Sequence, residues 1–175
     1  MKKTNLILIG MPGAGKSTVG VILAKRIGYH FIDTDLIIQA QQKSRLQEII
    51  DRRGLEEFRR IEDQTLLELQ TQHTVIATGG SVVYCKNGLH KLAENGYRIY
   101  LQVDLDSLQK RIADMGQRGL VMEQGQSFAQ LYQERTPLYV QEADLTINCQ
   151  KLNAEQIAIQ IEKELSRSFP DVHLS

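Results

Sequence analysis

The sequence predicts an α/β protein built on a parallel sheet with helices on both faces. Three observations predict it. Short, fully apolar runs alternate with stretches of helical periodicity. The first apolar run ends in a glycine-rich turn that opens straight into a helical pattern. No repeat, low-complexity block or Pro-rich linker divides the 175 residues, a length that suits one domain with one sizeable core. Continuous rather than alternating apolar runs mark strands buried on both sides, which is the signature of a parallel sheet.

Taken in order, residues 6–9 (Leu-Ile-Leu-Ile) form the first strand-like run. Residues 17–27 carry Val19, Ile22, Leu23 and Ile27 at helical spacing, with Gly28 as the stop. Residues 30–32, 74–77, 98–103 and 145–147 supply four further strands. Residues 55–70, 104–114 and 153–167 fit helices among the patterns between them. Residues 116–126 hold three glycines and no periodicity, and they read as a mobile loop.

Charge and cysteine usage narrow the class. There are 21 Lys and Arg against 21 Asp and Glu, a formal charge of zero. That balance excludes bulk attraction to nucleic acid or anionic membrane, which needs a positive excess. Any polyanionic ligand must be met by a local group of cations. Cys85 and Cys149 stand far apart, with no C-x-x-C, and read as free thiols of a reducing cytosol. The opening apolar run stops at Gly10-Met11-Pro12, too short for a secretory segment, and no stretch could span a bilayer. The expectation is a cytoplasmic protein.

Residues 10–17, Gly-Met-Pro-Gly-Ala-Gly-Lys-Ser, match G-x-x-x-x-G-K-[ST], between a strand and a helix as the motif requires. Glycines let backbone N–H groups turn inward around phosphate oxygens, and the helix N-terminus adds partial positive charge. Gly13, Ala14, Gly15, Lys16, Ser17 and Thr18 are therefore the expected nucleotide-binding residues. Lys16 would reach the β- and γ-phosphates, and the Ser17 hydroxyl would ligate Mg²⁺. A guanine-selecting N-K-x-D is missing from the sequence. Asp33 and Asp35, at the end of the second strand, fall where open α/β sheets collect ligands. If the strand continues, they share a face. One could then hold a magnesium-bound water while the other accepts a hydroxyl proton. Equally, the pair could cap the next helix.

Here the sequence resembles the shikimate kinases, small P-loop kinases related to the nucleoside monophosphate kinases. The resemblance rests on residues 10–18, Asp33-Thr34-Asp35, residues 54–62 (G-L-E-E-F-R-R-I-E), Thr78-Gly79-Gly80, Arg118, and residues 134–139 (E-R-T-P-L-Y), in that order. It implies a three-layer α/β/α fold with a five-stranded parallel sheet in the order 2-3-1-4-5. It also implies a substrate-binding helical segment near residues 34–62 and a lid near residues 114–126, with core residues 1–110 and 127–168; the tail at 169–175 is expected to fray, as chain termini do. The implied activity is transfer of the γ-phosphoryl of ATP, with Mg²⁺, to the 3-hydroxyl of shikimate, a step of chorismate and aromatic amino-acid biosynthesis. Asp35 matches the proton-accepting aspartate, and Asp33 its neighbour near substrate and Mg²⁺, directly or through water. Arg59 and Arg135 match arginines that grip the substrate carboxylate, a task suited to a planar fork. Glu62 matches a carboxylate that orients the substrate-binding arginine, and Gly79 and Gly80 match positions approached closely by substrate. Arg118 matches a lid arginine that closes on phosphoryl oxygens, and Arg111 an arginine against the adenine.

Arg52, Arg53 and Arg60 read as the solvated face of a charge-laced helix. Two positions depart from the family pattern. Ser81 stands where the family has a third glycine. It costs roughly 1–2 kcal/mol if a positive φ is required there, and otherwise adds a hydrogen bond. Gly119 stands where the lid has proline, which predicts a looser lid and an ordering cost of ~1 kcal/mol on closure. The competing readings are a kinase of another hydroxylated acid such as gluconate, and a nucleotide-binding regulator without turnover. The partners expected are small molecules, with no nucleic acid and no membrane, and the working unit is a monomer.

Overall fold

The computed structural model describes residues 3–115 and 120–170. Five strands, β1 (Asn5–Ile9), β2 (His30–Asp33), β3 (Thr74–Ala77), β4 (Gly96–Gln102) and β5 (Leu145–Asn148), pair in parallel in the order β2-β3-β1-β4-β5. The sheet is the one the resemblance implied. β1 sits at its centre, with Leu6 beside Val75 on one side and beside Tyr97 on the other. Every residue of β1 and β3 is buried, whereas the edge strands β2 and β5 keep partly exposed positions. That contrast explains why the central strands read as unbroken apolar runs.

The helices are α1 (Lys16–Ile27), α2 (Thr34–Gln42), α3 (Leu46–Glu68), α4 (Lys86–Ala93), α5 (Leu105–Met115), α6 (Phe128–Glu142) and α7 (Ala154–Ser168), with a 3-10 turn at Val82–Tyr84. Local chemistry sets their ends. Gly28 takes the left-handed conformation that closes α1, its N–H donating to the Ala24 carbonyl. Ser127 with Gln130 and Asn153 with Gln156 form reciprocal capping boxes that start α6 and α7. α3 begins nine residues earlier than the periodicity from residue 55 suggested, because two helical pieces join across a kink at Gly54 (φ 81°, ψ 167°).

One large core fills both faces of the sheet, built on Leu6 to Ile9, Leu23, Ile76, Tyr100, Tyr139 and Ile161. A second, smaller cluster of Ile38, Ile49, Phe58 and Val121 lies under α2 and α3. It is the foundation of the segment expected to bind the acceptor. Both cysteines are free and buried, and Arg52, Arg53 and Arg60 are exposed as their charge pattern indicated. Among the described residues, no helix is long and apolar enough to cross a membrane. Arg118, Gly119 and residues 171–175 lie outside the described residues.

α3 carries Arg59 and Glu62, and its seat on α4 depends on Gly88. The Gly88 N–H donates to Asp63 Oδ1 at 2.7 Å, and a Cβ added there would lie 2.6 Å from Leu66 Cβ and 2.8 Å from the Asp63 carbonyl oxygen. Gly88→Ala is expected to destabilise the protein by about 1–3 kcal/mol through overpacking, read as a lower midpoint in urea unfolding.

Candidate active site

The loop of residues 10–15 connects the buried strand β1 to α1. Gly13 (φ 80°) and Gly15 (φ 92°) take backbone conformations that side chains disfavour. Gly15 is the cap residue of α1, and no side chain caps that helix. Asp33, Ser127 and Asn153 cap α2, α6 and α7 in the usual way. The first turn of α1 thus keeps its N–H groups for another acceptor, as an anion site needs. Lys16 is only 8% exposed. Its Nζ donates to the carbonyls of Gly10 at 2.8 Å and Met11 at 2.9 Å. Burial pulls its pKa down to about 8; Asp35 opposes the shift and Arg135 adds to it. Arg111, from α5, donates to the Gly13 carbonyl at 3.2 Å and so braces the loop from its other side.

β2 ends at Asp33, so the two aspartates do not share the pleat of one strand. Asp33 caps α2, its Oδ1 accepting from the Asp35 N–H at 3.0 Å. Its Oδ2 accepts from the Ser17 hydroxyl at 2.6 Å. Asp33 therefore caps α2 with one oxygen and reaches the phosphate loop with the other. Asp35 follows in the first turn of α2 and lines the cleft. Burial raises its pKa to about 6, with Asp33 raising it further and Lys16 pulling it back.

After β3, the chain turns through Gly79, Gly80 and Ser81. A Cβ at Gly79 would stand 2.5 Å from Glu62 Oε1 and 2.9 Å from Asp35 Oδ1, and one at Gly80 would meet Pro12 Cδ at 2.6 Å. The crowding at these glycines therefore comes from the protein's own carboxylates and phosphate loop. Ser81 adopts φ −86° and ψ 0°, ordinary for any residue, so its side chain adds no backbone strain. Its hydroxyl donates to Glu62 Oε2 in a fully buried contact.

Glu62 is 3% exposed. Burial raises its pKa to about 7, against the Ser81 hydrogen bond. No ion pair among the described residues involves Glu62; its close partner is Ser81, and Arg135 acts on it at longer range.

These groups border one cleft of about 530 Å³, which reaches from Lys16 and Ser17 past Asp35 and Glu62 to Arg135. Arg135 is fully buried; its Nη2 donates to the Val121 carbonyl, while Nε and Nη1 have no hydrogen-bond partner. Arg59 does not line the cleft. Its Cζ stands 4.5 Å from the centre of the Tyr84 ring, and its buried Nε also lacks a partner. Phe58 and Val121 form an apolar wall that residue-by-residue reading of the charges had passed over. Phe58 was visible as the aromatic beside Arg59, but its inward direction needed the helix phase set by the Gly54 kink.

The cleft combines a phosphate cradle, a carboxylate ionising near pH 6 and a buried guanidinium with unused donors. That is the equipment for moving a phosphoryl group onto an anionic alcohol. Glu62 holds protons that the unfolded chain, at an ordinary carboxylate pKa, has released, so stability falls as pH climbs from about 4.5 to about 7. Ser81→Ala removes the hydrogen bond that favours the ionised form. It is expected to extend that decline above pH 7 and to cost about 1–3 kcal/mol at pH 8, measured by urea unfolding across pH.

Comparison with known proteins agrees with this geometry. A family model described as shikimate kinase matches residues 12–166. The shikimate kinase of Synechococcus sp. (strain RCC307) is 39% identical over 169 residues, 94% of this chain and 86% of that protein. That of Vibrio parahaemolyticus serotype O3:K6 is 34% identical over 167 residues, 94% of this chain and 97% of that one. The shikimate kinase from Acinetobacter baumannii, solved in complex with shikimate, superposes with a TM-score of 0.88 at 29% identity over 95% of each chain. With the sheet order, the loop and the cleft all in place and the match running almost end to end, the chain belongs to the shikimate kinase family.

Proposed function

We propose that this chain transfers the γ-phosphoryl group of ATP to the 3-hydroxyl of shikimate, releasing ADP and shikimate 3-phosphate for aromatic amino-acid biosynthesis. The observation that carries the reading is the single cleft that joins Lys16, Asp35 and Arg135. Phosphoryl transfer needs positioning and charge neutralisation more than covalent chemistry, and these groups supply both.

The roles follow from the surroundings. The N–H groups of Gly13 to Thr18 cradle the phosphates, and Lys16 trades the Gly10 and Met11 carbonyls for phosphate oxygens. Arg111, already against the loop, flanks the nucleotide. Ser17 and Asp33 offer two hard oxygens 2.6 Å apart, a donor set that suits Mg²⁺ held by few protein ligands plus phosphate. When bound, that ion neutralises phosphate charge. Asp35 is ionised at neutral pH and takes the proton of the attacking hydroxyl. Gly79 and Gly80 leave room for the acceptor ring, Arg135 receives its carboxylate through its unpartnered nitrogens, and Arg59 supports it. Arg118, outside the described residues, is assigned from the sequence to the transferring phosphoryl group. Every residue assigned belongs to one chain, and the reading takes a monomer in the cytoplasm as the working unit.

Gluconate, also a hydroxylated carboxylate, is the acceptor to be distinguished. ADP release measured with shikimate, with gluconate and with neither is expected to be stimulated by shikimate alone. Preference for gluconate would move the assignment to another acceptor, and acceptor-independent release would remove it. Asp35→Asn should leave ATP binding unchanged and lower kcat by about 10²–10⁴-fold; unchanged turnover would exclude Asp35 as the base. The profile of kcat/KM for ATP should be bell-shaped. It rises through about pH 6 as Asp35 ionises and falls through about pH 8 as free-enzyme Lys16 loses its proton.

A further inference from the structure

Neither Arg59 nor Arg135 has a carboxylate in direct contact among the described residues, although both act on Glu134 at longer range. No ion pair among the described residues involves either of them, and both have buried nitrogens without hydrogen-bond partners. They come from different helices, α3 and α6, and what they share is one aromatic ring. The Cζ of Arg59 stands 4.5 Å from the centre of the Tyr84 ring and that of Arg135 stands 5.3 Å from it. A guanidinium at that distance is attracted by the ring's quadrupole, most strongly where water is excluded.

The ring is itself anchored. Tyr84 sits in the 3-10 turn that follows Ser81, and its hydroxyl donates to Glu134 Oε1. The other oxygen of Glu134 accepts from Gln126 Nε2 at 2.7 Å, and the Gln126 N–H donates to the Glu123 carbonyl at 3.1 Å. The ring is thus tied to α6 and to the segment just before it. Both arginines act on Glu134 at longer range, and Arg135 on Glu62, but the close contacts of these carboxylates are with Tyr84 and Gln126 and with Ser81.

Building on the proposed role of these arginines in acceptor binding, we propose that Tyr84 is a positioning residue for the shikimate carboxylate. Its ring holds Arg59 and Arg135 near one another without neutralising either. A carboxylate partner in its place would compete with the substrate for the same donors. An aromatic face restrains the guanidinium planes and leaves the N–H groups at their edges available for a bidentate contact. Tyr84 touches neither nucleotide nor reacting hydroxyl in this assignment, so its effect falls on acceptor affinity.

The test uses the full chain and two observables, shikimate Kd by calorimetry and KM for ATP. Tyr84→Leu is expected to weaken shikimate binding roughly threefold to thirtyfold, the span from one exposed to one desolvated cation–ring contact, with KM for ATP within about twofold. Tyr84→Phe, which keeps the ring, should restore most of the affinity. Ring-fluorinated phenylalanines incorporated at position 84 keep the shape and drain the ring face of negative charge, so affinity should fall stepwise with fluorine number. This series decides the matter even if Tyr84→Leu fails to fold. A flat response across the fluorinated series, or an equal loss of ATP and shikimate affinity, would overturn the proposal. Arg135→Ala and Arg59→Ala serve as controls. If neither weakens shikimate binding, the acceptor assignment of the arginines fails, and that result is distinct from a failure of Tyr84 alone.

Discussion

The structure is organised around charges that are costly to bury. Lys16, Glu62 and Arg135 are each less than a tenth exposed, and Asp35 stands among them in one cleft. Removing such groups from water is unfavourable, and their mutual attraction offsets the cost only in part. The displaced pKa values of Lys16, Asp35 and Glu62 all have desolvation as their largest cause. A rigid frame is needed to hold such a cluster. The fully buried strands β1 and β3 provide it, with the phosphate loop leaving one and the Gly79-Gly80-Ser81 turn leaving the other.

The frame explains how much could be read directly. Apolar runs announced β1 and β3 most clearly, because a doubly covered parallel sheet leaves its central strands no polar face, whereas the edge strands β2 and β5 are partly exposed. The phosphate loop was legible because its residue types are dictated by contact with phosphate. α2, α4 and α6 were harder. α2 opens with the two aspartates, which mask its start as a strand end. α4 is short and carries Gly88, a poor helix former kept for its contact with Asp63 and Leu66. α6 contains Pro137, and its capping box at Ser127 and Gln130 is a feature of the fold.

The site was legible as a list of residues and less so as an arrangement. The D-x-D spacing could not decide between a shared strand face and a helix cap, because that choice turns on where β2 stops. The cost of Ser81 depended on the sign of its φ, which only the fold determines. Once φ is −86°, the hydroxyl becomes a partner for Glu62. Arg59 and Arg135 were identifiable from their motifs, but the ring beside both was not, since Tyr84 follows no pattern that would mark it. A formal charge of zero on the chain proved compatible with strong local polarity, because the cations that matter are few and widely separated in sequence.

The strand order has a consequence for how the chain reaches this state. With β1 at the centre and β3 and β4 on either side of it, only β2 with β3 and β4 with β5 are sequential strands that lie side by side. Each parallel pairing must close a long loop before its contacts reward the closure, a topology associated with slow folding. The cleft draws on residues from Pro12 to Arg135, so its charges converge only once helices distant in sequence are set against the sheet.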